Sequence, residues 1–93
     1  MAMFIVQRRL PGLGPEQLAA VHRALAESSR RLSVGEDRVR YVRCLFAPAL
    51  ALCLCVFQAT SEDLVRRVNV VAQVPFDTIQ ETMDFENPGQ APP

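Results

Sequence analysis

Charge of one sign is the first thing this sequence lacks. Its 93 residues carry ten basic and ten acidic side chains, for a formal net charge of zero. No global field draws such a chain to nucleic acid or to an anionic membrane surface. Aromatics make up only 6%, and no basic stripe accompanies them, which argues against base stacking on a sheet. With one histidine, no Ser-His-Asp set can be argued, and no glycine-rich phosphate loop follows a strand candidate. No apolar run reaches the roughly 20 residues that a spanning helix needs. The longest candidate, Cys44 to Phe57, is interrupted by Pro48. An export leader is not apparent: Met1 to Val6 is short, and Gln7, Arg8 and Arg9 follow it instead of preceding it. Three cysteines, an odd number, then read as reduced thiols in the cytoplasm.

What is there is a strongly apolar centre, Val39 to Gln58, whose two apolar runs join at Pro48 and Ala49. It reads as a β-hairpin. Ahead of it, Met3 to Leu10 alternates as a strand, with Phe4, Val6, Arg8 and Leu10 on one face and Met3, Ile5, Gln7 and Arg9 on the other. The breakers Pro11 to Pro15 stop it. Glu16 to Leu32 is a helix, with Leu18, Val21, His22, Leu25, Ser29 and Leu32 on one side. After the hairpin, Ser61 caps a second helix with Leu64, Val65, Val68, Val71 and Ala72 on its apolar face, ended by Pro75. Thr78 to Phe85 is a last strand, and 87–93 (NPGQAPP) is a tail expected to be disordered. The order β-α-β-β-α-β over 1–86 predicts one α+β domain of ferredoxin-like fold, a four-stranded antiparallel sheet with two helices on one face. The other face carries apolar residues and is left uncovered, so the expectation is a homodimer packed sheet on sheet, or a ligand on that face.

Three segments carry a family resemblance. They are Val6 to Gly12 with Pro15-Glu16-Gln17-Leu18, then Cys53 to Ala59, then Val65 to Asn69 with Ala72 to Asp77. The chain resembles a bacterial family of small proteins of unknown function that includes an actinobacterial nickel-binding protein. That family shows V-E-R-x-L-P-G, P-E-Q-L, C-x-C-x-F-E-A and A-G-x-P-F/Y. Here Gln7 and Gln58 replace two glutamates, Gln73 replaces a glycine, and Ala49-Leu50-Ala51 is apolar where acidic residues and glycine are usual. The resemblance implies a ferredoxin-like dimer and a divalent metal such as Ni(II).

Cys53 and Cys55, two apart on a strand, point to one face. Cys44 joins them if it pairs opposite Cys55, and a slip of one residue turns it away. Three thiolates could hold a soft metal; free cysteines also pack as small hydrophobes, which is the commoner role of C-x-C. A metal set would draw on His22, Cys53 and Cys55. A ligand on the open face would meet Gln7, Arg9, Tyr41, Arg43, Cys53, Cys55 and Thr82, and these groups serve equally as a polar network across a dimer interface. The reading is a non-enzymatic, ligand-binding homodimer. Its alternatives are a dimeric α/β-barrel enzyme acting on a hydrophobic metabolite, ranked lower for want of a base, and a plain protein-assembly module.

Overall fold

The computed structural model describes residues 1–85 and 87–89. Its elements are strand β1 (Ala2–Arg9), helix α1 (Pro15–Leu32), strands β2 (Val39–Ala47) and β3 (Leu52–Ala59), helix α2 (Glu62–Val71) and strand β4 (Thr78–Thr82). The four strands form one antiparallel sheet in the order β2-β3-β1-β4. This is the ferredoxin-like fold, and both helices contribute to the single core on one side of it. Of the expected tail, residues 90–93 lie outside the described residues, and Asn87, Pro88 and Gly89 are exposed.

The elements start and stop for local reasons. Helix α1 opens with Pro15 at a position whose N–H would be unpaired anyway, while Gln17 reaches back to accept from the Gly14 N–H at 2.9 Å. Ser61 caps α2 by accepting from the Leu64 N–H at 3.2 Å, with Glu62 and Asp63 in the positive first turn. Between β2 and β3 the chain makes a short 3₁₀ turn, Pro48–Leu50, and returns through Ala51 at φ 51°. The Leu10 N–H donates to the Ala51 carbonyl at 2.9 Å, tying this tip to the end of β1.

The sheet register decides which side chains enter the core. Phe4 pairs with Phe57, Val6 with Cys55 and Arg8 with Cys53, so these alternate residues share the helix-covered face and are all nearly or fully buried. Leu25 of α1 and Leu64, Val65 and Val68 of α2 close over them. The opposite parity, Met3, Ile5, Leu52, Leu54, Val56 and Leu45, forms the uncovered face. Two sequence expectations change. β4 ends at Thr82 and not Phe85, because Thr82 pairs with Met3 and β1 has almost no chain left to pair beyond it; Met83 and Phe85 are exposed. On α2, Val71 is half exposed and Asn69 is buried in its stead, one turn after Val65.

Candidate functional site

The site grows out of the hairpin. Cys53 and Cys55 lie on one face of β3, both fully buried. On β2 the pairing slips between Tyr41 and Arg43, which are set against Phe57 and Val56, so Val42 is an extra residue in a β-bulge. The bulge lets Tyr41 and Cys44 share the covered face although they are three positions apart. Cys44 then pairs with Cys55. The three sulfurs lie within 4.8 Å of one another, with Cys53 Sγ and Cys55 Sγ 3.6 Å apart. All three cysteines are free.

Arg8, on β1 directly opposite Cys53, is 1% exposed. A buried guanidinium is costly unless something answers its charge. Its Nη2 donates to Asn69 Oδ1 at 2.6 Å, and its Nη1 to the carbonyls of Pro75 and Val74 at 3.2 and 3.4 Å. Asn69 is in turn fixed by its own Nδ2–H donating to the Val65 carbonyl at 2.8 Å. All these acceptors are neutral. Among the described residues no carboxylate pairs with Arg8. The anion beside it is a thiolate. Hydrogen bonding from the Cys44 thiol, helped by the Arg8 charge and by Cys53 and opposed by burial, brings Cys55 down to about 6. Cys44 moves up because its proton is shared with Cys55 and because it is buried. Burial is also the main cause of the rise at Cys53. Together these shifts favour the thiolate at Cys55, beside the Arg8 guanidinium, with Cys44 and Cys53 kept as thiols.

Tyr41 and His22 form the next layer. The Tyr41 ring lies 5.2 Å from Phe57 and 5.9 Å from His22. Its hydroxyl, His22 Nε2 and Arg8 Nε are buried without a hydrogen-bond partner. Burial first, and then the nearness of Cys55 and Cys44, keep the Tyr41 phenol protonated.

The structure divides the residues that the sequence placed on one open face. Gln7, Arg9, Arg43 and Thr82 are there, while Tyr41, Cys53 and Cys55 face the helices. The physical reason is register: Arg8, not Gln7 or Arg9, is level with Cys53, and the bulge at Val42 breaks the alternation of Tyr41 with Arg43. The grouping of metal-ligand type is Cys44, Cys53 and Cys55, without His22. Arg8 and Asn69 were missed as site residues. Their signal was present for Arg8, a charge in line with Phe4, Val6 and Leu10 on an inward face.

The sequence pattern of the SCO4226-like nickel responsive proteins matches residues 4–82. The chain belongs to that family. A crystal structure of SCO4226 from Streptomyces coelicolor A3(2) is similar over 91% of this chain and 100% of that one, with a TM-score of 0.78 and 23% identity. Among curated proteins none matches.

For this SCO4226-like protein the thiol cluster fits a divalent ion on two counts. Two sulfurs about 2.3 Å from a common tetrahedral ion lie about 3.8 Å apart, close to the 3.6 Å between Cys53 and Cys55, and Cys44 lies within 4.8 Å of both. The charge also closes: three thiolates, one divalent ion and the Arg8 guanidinium sum to zero. Cys44, Cys53 and Cys55 would be the ligands and Arg8 the balancing charge. Occupancy would tie β2 to β3 by coordinate bonds and stabilise the folded chain.

Proposed function

We propose that this protein is a metal-binding homodimer that takes up nickel or a similar divalent ion through Cys44, Cys53 and Cys55. The observation that carries the reading is the group of three sulfurs beside a buried arginine that no carboxylate among the described residues pairs with. A cluster kept only for packing has no use for a buried cation, whereas a thiolate centre does. Soft and borderline ligands of this kind suit nickel and zinc and disfavour magnesium or calcium. The family description, nickel responsive, agrees with the donor set.

The dimer rests on the uncovered face. Leu45 and the hairpin-tip Leu50 are 62% and 60% exposed, and Met3, Ile5, Leu54 and Val56 lie in the same layer as Leu45. Exposed leucines beside a half-buried apolar layer favour a partner, and a second copy offers a matching surface.

Native mass spectrometry of untagged, reduced protein tests both parts, before and after Ni(II), Zn(II) and a chelator. The expected result is a dimer with one ion per chain, lost in Cys53→Ser and Cys55→Ser and kept in His22→Ala. A monomer would remove the dimer, and an ion retained by both serine variants would remove the thiol site.

A further inference from the structure

A second concave surface, which meets the thiol site only at Tyr41, lies at the free edge of β2 against the C-terminal half of α1. This cleft of about 370 Å³ is rimmed by Arg30, Arg38 and Arg40 and floored by Val39 and Tyr41. Among the described residues none that lines it is acidic. In a chain of zero net charge, three guanidiniums around one concavity are a local excess. Arg30 reaches Glu27 only at 3.8 Å, in an exposed pair of little strength. Among the described residues Arg38 and Arg40 make no ion pair. Both are exposed at the rim.

The wall behind these arginines is rigid. Ser33 Oγ accepts from the Val39 N–H at 3.1 Å and lies 2.9 and 3.0 Å from the Ser29 and Val39 carbonyls. Ser29 Oγ donates to the Leu25 carbonyl at 2.8 Å. The Arg38 backbone is held from both sides by Thr60, whose Oγ1 accepts from the Arg38 N–H at 3.2 Å and whose N–H donates to the Arg38 carbonyl at 2.9 Å. The side chains thus project from a fixed backbone, which lowers the ordering cost of binding. Planar guanidinium forks match phosphate and carboxylate oxygens bidentately, and three of them call for more than one negative charge. The volume suits a small ligand, at the lower end of the roughly 300–1,000 Å³ of such pockets.

We propose that this cleft binds a small polyanion, a phosphate ester or a di- or tricarboxylate, through Arg30, Arg38 and Arg40. It does so independently of the metal reading, since none of the cysteines lines it.

Amide NMR titration of the reduced full-length chain tests this, with pyrophosphate in one arm and citrate in the other, against chloride at equal ionic strength. The proposal predicts saturable shifts at Ser33, Arg38, Arg40 and Tyr41 with at least one of the two anions. The arm that saturates identifies phosphate or carboxylate as the preferred group. The Arg38→Gln/Arg40→Gln double variant should weaken binding by about ten-fold or more. Arg23→Gln, outside the cleft, should stay within about two-fold. Saturation in neither arm overturns the proposal, as does an equal loss in Arg23→Gln and the double variant.

Discussion

The two faces of this sheet are built from the same strands and differ in everything else. On the covered face Phe4, Val6, Arg8, Cys53, Cys55 and Phe57 are closed in by two helices. Polar atoms there are few, and each is held or charge-matched by a neighbour, apart from Arg8 Nε, His22 Nε2 and the Tyr41 hydroxyl. On the open face Met3, Ile5, Leu52, Leu54 and Val56 are half-buried and lie away from the helices, and Gln7, Arg9 and Arg43 are interleaved with them. Alternation along a strand therefore assigns two tasks to one hairpin. The inward residues bring the thiols and one guanidinium together, and the outward ones form an apolar layer. Chemistry that needs low dielectric and fixed distances belongs on the first face.

The sharpest way to break this contrast is at Arg8. Arg8→Ala removes three hydrogen bonds and leaves Asn69, the Val74 and Pro75 carbonyls and the Cys55 thiolate without their partner. A loss of about 3–5 kcal/mol is expected in urea unfolding. A loss below about 1 kcal/mol would mean that the buried charge is not integral to the fold.

Leucines on the two faces sharpen the comparison. Leu25→Ala, fully buried, should cost about 2–5 kcal/mol, whereas Leu45→Ala on the open face should cost under about 0.5 kcal/mol in dilute monomer. Equal costs would erase the distinction between covered and open layers.

Acidity offers a third test. Between about pH 6 and 9, Cys55 is ionised in the folded chain and protonated in the unfolded one. The unfolded state then binds more protons, so stability rises with pH across that window and is lost as pH falls toward 6. Above about 9 the sign reverses, because the raised Cys44 and Cys53 thiols stay protonated only in the folded chain. Urea midpoints of reduced, metal-free protein should follow this rise and fall, and Cys55→Ser should flatten the rise.

The smallest effect concerns backbone. Gln73 sits at φ 59°, a left-handed conformation in which a Cβ is unfavourable. Gln73→Gly should stabilise by about 0.5–1 kcal/mol. A loss would show that the Gln73 side chain contributes more than its backbone strain costs.

These results also mark what the sequence could disclose. Element order was legible because each helix carries a 3.6-residue apolar period and each strand an alternating one, set apart by Pro11 to Pro15, Ser61 and Pro75. The inward direction of Arg8 was legible too, from its neighbours Phe4 and Val6. The site was not, for one reason: a bulge leaves no mark in composition. Val42 looks like any strand residue, yet its insertion moves Cys44 onto the face of Cys55 and separates Tyr41 from Arg43. The end of β4 was hidden for a related reason, since it depends on where β1 runs out and not on the apolar Met83 and Phe85.

The most direct measurement is a Ni(II) titration of reduced protein followed by thiolate-to-metal charge-transfer absorption and melting temperature. The account predicts absorption that saturates at one ion per chain. At free metal about 100 times Kd it predicts stabilisation of about 2.7 kcal/mol, with both signals abolished in Cys55→Ser. Absorption without saturation, or a rise in melting temperature that survives Cys55→Ser, would contradict a metal centre at Cys44, Cys53 and Cys55.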